Sequence, residues 1–452
     1  MSTDSDLSDL DDFVDAIEDD KPVPYVPTGE HVNVSTHQRM NECDFSNLIQ
    51  RQIIEVTQNP IWSLKFGPDP QNPLLLACAG GDNNIHIFKV LSSEPCFHFN
   101  PSEYNSKVLS PQPILVLQGH ARPVISLCWR PDGLLLSASA DKTARLWYIP
   151  PDDPLSAPPR PTAILDHKEV VTSVILPNLP PTTTTEGQVS SFPDYAITGS
   201  LDQNVYIWNC SDPSKPIAFV HLKAMVTAMD WIPPRRLSPS SSGEGGSGGG
   251  TLVVGTHHAW CYVFDFVINP RVSLSQVYLF QAVSQRGSNS KGHKVTSICV
   301  RPEINRMLIS TNDSRIRSFV FSTCKKSIKY IGHVSKNSHM GASFSPNCKY
   351  VLCGSENKKV FIWPIESNYV PAINPKLNIF NKNTHNKSYE LIHLADSVTS
   401  AVFAPSSIGH IVPPDYEVGS GNENRFIIVA TEDGFLFVFE NLAQPRDFQS
   451  PQ

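Results

Sequence analysis

No run of apolar residues in this chain reaches the ~18 to 20 residues that a membrane-spanning helix needs. No C-x-x-C pair occurs among its ten cysteines; Cys348 and Cys353 are the closest two. Scattered cysteines of this kind speak against a zinc ribbon or a disulfide framework. Several, including Cys128 and Cys299, sit inside apolar strand patterns. Free buried thiols in a reducing compartment are therefore expected. The chain also lacks a basic excess. Its net charge is −7, and nine acids fall in residues 1–20 without one base. The remainder holds 36 bases against 34 acids. A nearly neutral body gives no support to nucleic-acid binding by bulk charge. An N-terminus this acidic is expected to be neither a signal peptide nor a transit peptide.

What is present is repetition. Asp141-Lys142-Thr143-Ala144-Arg145-Leu146-Trp147 returns as Asp202-Gln203-Asn204-Val205-Tyr206-Ile207-Trp208, and in eroded form as Asn357-Lys358-Lys359-Val360-Phe361-Ile362-Trp363. Each copy follows a strand of small residues: Ser137-Ala138-Ser139, Thr198-Gly199-Ser200 and Cys353-Gly354-Ser355. Repeats of about 40 to 45 residues with this signature resemble WD repeats and imply an all-β propeller. Length alone would allow about three domains at ~150 residues each. One ring absorbs most of the 452 residues instead.

Seven units can be read between Ile61 and Phe439, the fourth (Val226 to Phe264) being degenerate. The chain is then expected to divide into a disordered acidic tail at 1–44, a seven-bladed propeller at 45–442 and a short tail at 443–452. The strand from Leu48 to Val56 precedes the first unit and has no partner of its own. It is expected to complete the last blade from outside, which joins the chain ends and removes exposed sheet edges.

The polar residues of the repeat have a structural reading. In the second unit His120, Ser137, Asp141 and Trp147 can form a chain from indole N–H to hydroxyl, to imidazole, to carboxylate. In the third, His167, Thr198, Asp202 and Trp208 are expected to repeat it. Buried indole and imidazole nitrogens need partners. The same His-Ser-Asp set resembles a hydrolase triad. It occurs twice in blade register, however, and no G-x-S-x-G elbow accompanies it. No catalytic residue is assigned. His257-His258 has no carboxylate or cysteine at ligand spacing, so a turn is expected there and no metal or cofactor site is assigned.

Insertions at about 178–194, 232–250 and 406–424 fall between the first and second strands of their units. Such loops share one face of a propeller, and the Gly/Ser-rich one reads as flexible. Partners are then expected on the opposite face. Arg122, Lys142 and Arg315 lie in turns of that face, with Lys294 nearby.

The acidic tail contains Asp12-Phe13-Val14-Asp15-Ala16-Ile17-Glu18. This resembles the FFAT motif (two phenylalanines in an acidic tract), which VAP-type receptors of the endoplasmic reticulum capture. Asp12, Phe13, Asp15, Ala16 and Glu18 match the pattern, and Val14 stands where an aromatic is usual. The fifth and sixth units carry a further likeness. Ser310-Thr311-Asn312-Asp313-Ser314-Arg315-Ile316-Arg317, then Ser327 to His333, and later Val398-Thr399-Ser400-Ala401-Val402-Phe403-Ala404-Pro405 are similar to the WD repeat-containing protein 44 family of vesicle traffic. The resemblance implies a non-catalytic cytoplasmic adaptor, peripheral at endoplasmic-reticulum and endosomal membranes, that engages a Rab GTPase of recycling endosomes. In that family a long region between tail and propeller contributes to Rab binding. Here the spacer is short and holds Pro22, Pro24 and Pro27. A ubiquitin-ligase substrate receptor or a chromatin-associated scaffold is the competing class. Ligase receptors often carry Trp-Asp-x-Arg, whereas Tyr148, Asn209 and Pro364 follow Trp147, Trp208 and Trp363 here.

Overall fold

The computed structural model describes residues 32, 34–37, 45–67, 75–91, 107–150, 153–157, 160–179, 182–183, 189–190, 194–234, 249–268, 271–283, 293–336, 339–365, 385–386, 389–406 and 424–441. Among them there are strands and short 3-10 turns but no α-helix. Seven antiparallel sheets follow one another along the chain. The second blade is typical, with Val124–Trp129, Leu134–Ser139, Thr143–Tyr148 and Ala163–Asp166 paired in that order. The first strand of each blade packs beside the first strand of the next. Val398–Phe403 of blade seven lies against Ile61–Phe66 of blade one, so the ring is closed.

Side chains alternate across each strand, so every blade has two faces to bury. Seven apolar clusters result, each shared by two neighbouring blades. One joins blades two and three through Leu136, Leu146 and Trp208; another joins blades six and seven through Leu352, Val360 and Val429. The small residues of the second strands follow from this packing. A Cβ at Gly199 would lie 2.5 Å from Val226 Cγ1 of the next blade, and one at Gly354 would lie 2.5 Å from Val398 Cγ1. The fourth unit, degenerate in sequence, forms a complete blade. Cys261, Val263, Phe264 and Phe266 fill its core without the usual aspartate and tryptophan.

Closure runs through the strand Leu48–Glu55, which pairs antiparallel with Phe435–Asn441 on the outside of blade seven. A bulge at Arg51 aims its guanidinium at the buried Glu440 carboxylate, which also accepts from Arg425 Nε at 2.5 Å. Phe45 packs edge-on against Tyr350, with ring centroids 5.1 Å apart, and its N–H donates to Glu390 at 3.1 Å. Part of the segment read as tail belongs to the sheet system. Val34–His37 pairs antiparallel with Tyr389–His393 as a fifth strand of blade six. His385–Asn386 adds a parallel fifth strand to blade five. Neither addition carries a repeat signature, although Asn386 Nδ2 donates to the Pro364 carbonyl at 2.8 Å and Ser35 Oγ meets His393 Nε2 at 3.0 Å. Within the first insertion, Thr182–Thr183 and Val189–Ser190 pair with each other.

Candidate functional site

Antiparallel neighbours send alternate connections to opposite ends of a blade. The links between strands one and two, and between three and four, share one face of the ring. Three of these links, between Ile175 and Tyr195, Ile232 and Thr251, and Phe403 and Phe426, join first and second strands. The links between strands two and three, and from one blade to the next, form the other face. The turns between strands two and three repeat a left-handed residue in every blade. Asn83, Lys142, Gln203, Ala259, Ser314, Lys358 and Gly434 have φ between 59° and 84°. A non-glycine residue in this region costs about 1 to 2 kcal/mol. Local polar bonding offsets that cost. Asp141, for example, accepts from the Thr143 N–H at 2.9 Å and the Thr143 hydroxyl at 2.7 Å.

Blade two holds the full polar relay. Trp147 Nε1 donates to Ser137 Oγ at 2.9 Å, Ser137 Oγ meets His120 Nε2 at 2.7 Å, and His120 Nδ1 meets Asp141 Oδ2 at 2.8 Å. A neutral imidazole with its proton on Nδ1 satisfies all three. Burial holds the His120 pKa down against the pull of Asp141. Burial alone would raise Asp141, but hydrogen bonds from His120 and Thr143 prevail and hold it well below the carboxylate range.

Blade three departs from the expected copy. Trp208 Nε1 donates to Thr198 Oγ1 at 2.9 Å, and that hydroxyl meets His167 Nε2 at 2.7 Å. His167 Nδ1, however, donates to the Leu165 carbonyl at 2.9 Å and not to Asp202. Asp202 instead accepts from the Tyr206 hydroxyl at 2.8 Å and the Asn204 N–H at 3.0 Å. The Tyr206 ring lies against the His167 ring, 5.3 Å between centroids, and its hydroxyl takes the carboxylate.

Tyr206 belongs to a pattern the repeat signature hides. The turn acid is met by the residue four positions on in blade after blade. Asp82 bonds His86 at 2.6 Å, Asp141 lies 3.7 Å from Arg145, and Asp313 is gripped by Arg317. The hydroxyl of the relay exists only in blades two and three. Cys78 and Cys353 hold its position in blades one and six, as buried free thiols with pKa pushed up by burial. All eight described cysteines are free. In blade six Trp363 Nε1 therefore turns to the Ile331 carbonyl at 3.2 Å.

Of the four basic residues, Arg122 and Lys142 lie in connections of blade two; Lys294 lies in a connection of blade five, and Arg315 opens the third strand of that blade. Arg122 is exposed. Lys142 Nζ bonds the Lys168 carbonyl at 3.1 Å and Glu169 at 3.3 Å. Arg315 Nε lies 3.9 Å from Asp313. Lys294 donates to His339 Nε2, and burial lowers the Lys294 pKa. His257 and His258 form an exposed turn with rings 5.1 Å apart. Among the described residues no group of three or more His, Cys, Asp or Glu is placed to hold a metal ion. No described helix is long and apolar enough to cross a membrane. The segment Asp12, Phe13, Val14, Asp15, Ala16 and Glu18 lies outside the described residues.

Seven four-stranded blades with these turns define a WD-repeat β-propeller. The family model "WD domain, G-beta repeat" matches residues 111–148 and 322–364. Each match starts just ahead of the outer strand of one blade and runs to the end of the third strand of the next. The chain is similar to WD repeat-containing protein 44 of Xenopus laevis, 27% identical over 390 residues, covering 76% of this chain and 37% of that protein. An uncharacterized WD repeat-containing protein of Schizosaccharomyces pombe is 24% identical over 73% of this chain and 52% of its own length. The 2-deoxy-glucose resistant protein 2 of Saccharomyces cerevisiae is 26% identical over 56% of this chain and 28% of its own. The chain thus spans about a quarter to a half of the length of these relatives.

Proposed function

We propose that the chain is a non-catalytic scaffold in membrane traffic, with a propeller that displays protein partners and an acidic N-terminal segment that engages a VAP-type receptor of the endoplasmic reticulum. The observation that carries this reading is the similarity to WD repeat-containing protein 44 over 76% of the chain. The polar sets of blades two and three support it, because His120, Ser137 and Asp141, and His167, Thr198 and Asp202, are each bonded to neighbours within their own repeat. A Phe13 ring buried in a receptor groove would contribute ~1.5 to 3 kcal/mol. The nine flanking acids would steer the segment to a basic surface in a salt-dependent manner. The short-turn face, with Arg122, Lys142, Lys294 and Arg315, is the surface left for a second partner, proposed as a Rab GTPase of recycling endosomes. Joined in one chain, the two contacts would tether endoplasmic reticulum to endosomal or secretory tubules.

Affinity capture of the full chain beside Phe13→Ala tests the first contact. The variant is expected to lose the receptor while other partners stay; identical captures from both remove the tether reading. Nucleotide-dependent binding of a Rab to residues 45–442 tests the second contact.

A further inference from the structure

The outer strand of a blade presents a row of backbone N–H and C=O groups, and an open row invites another strand. In blades five and six other segments of the chain take that place: His385–Asn386 and Val34–His37. At blade seven Gln52 of the outer strand Leu48–Glu55 holds Val108 and Leu109 through three hydrogen bonds of 2.9 to 3.1 Å. In blades one to three the outer strands are only three or four residues long.

Blade four differs on both counts. Its outer strand Ser273–Gln281 has nine residues, and none of the described residues pairs with its far side. The strand holds no charged residue and no proline, the devices that commonly keep such edges apart. A bulge opposite Val263 and Phe264 adds Val277 to it and breaks the in-and-out alternation. Three consecutive large apolar side chains are exposed as a result: Val277 at 45%, Tyr278 at 43% and Leu279 at 45%. The outer strand of blade three lies alongside and adds Phe219, exposed at 63%.

We propose that two copies of this chain associate through Ser273–Gln281, paired antiparallel about a twofold axis, with Val277, Tyr278, Leu279 and Phe219 buried between them. Charge decides the occupant. Across a twofold axis a strand meets itself, so a charge near its centre would face its like. Ser-Leu-Ser-Gln-Val-Tyr-Leu-Phe-Gln carries none. The outer strands of blades two and five do, at Asp166 and at Lys325, Lys326 and Lys329. An uncharged edge also gives a charged peptide nothing to pair with, which favours self-association over capture of the acidic or basic segments of other chains.

Sedimentation velocity of the full chain over a dilution series from ~100 µM reads the association directly. A monomer–dimer equilibrium is expected, with amide exchange across 273–281 slower at high concentration. Val277→Lys with Leu279→Lys places like charges across the axis and is expected to weaken the dimer by more than about tenfold. Their circular dichroism and melting temperature should stay near wild type, since both side chains point to solvent. If that double variant loses its fold, Leu279→Ser is read in its place, with the same direction expected. Leu279→Ile should keep the dimer. A wild-type chain that stays monomeric at ~100 µM, or a dimer indifferent to these charges, overturns the proposal.

Discussion

Asp141 and Asp202 look alike in sequence and do different work. Asp141 holds His120, the Ala121 N–H and Thr143, and through His120 it orders Ser137 and Trp147. Asp141→Ala should strand buried donors and cost ~2 to 3 kcal/mol in chemical denaturation. Asp202→Ala frees Tyr206 and Asn204, which water can reach, and should cost about 1 kcal/mol or less. Equal losses would contradict the separate partners of His167. A second residue, His333, reports on pH. It is 3% exposed, wedged against Phe361 and Trp363, and burial drives its pKa from 6.5 down to about 4. Between those values the unfolded chain binds a proton that the folded chain refuses, so stability falls as pH falls through that window. Asp141 and Asp313, held low by their partners, lose their contribution only as pH drops below 3.8. Denaturation midpoints should therefore decline from pH 6.5 toward 4, and His333→Gln should flatten that decline. The presence of His, Ser and Asp in blade two was legible from spacing. The exchange of His167 to Leu165 was not, because it depends on where the Tyr206 ring lies.

At the scale of elements, closure rests on one strand. Leu48–Glu55 contributes Leu48 and Ile54 to two different inter-blade cores and Arg51 to the buried Glu440. Removing one partner of a buried ion pair costs ~3 to 5 kcal/mol because a charge stays buried alone. Glu440→Ala leaves two guanidinium groups, Arg51 and Arg425, without that carboxylate. It should lower the denaturation midpoint sharply, and deletion of residues 45–57 should do so further. A melting temperature unmoved by either change would show that the ring does not depend on this strand. An unpaired strand ahead of the first repeat revealed the outer place in blade seven. The fifth strands Val34–His37 and His385–Asn386 could not be read in the same way. Backbone pairing at an edge sets few demands on side chains, so their residues carry no pattern to find.

For the whole molecule, the sequence by itself determined a seven-bladed WD-repeat ring and its closing strand. It could do so because the ring is built from local rules: alternation along strands, small residues where blades meet, and a fixed turn after each Asp. Tertiary structure alone decided the rest. It placed the basic residues on blades two and five, moved Asp202 from His167 to Tyr206, and left the edge of blade four without a partner among the described residues while other segments meet the edges of blades five to seven. Each of these depends on what lies beside a residue after the chain has returned on itself. A carboxylate takes the donor that reaches it first, and an edge stays open when no distant segment arrives to pair with it. Neither outcome is written in the spacing of the repeat.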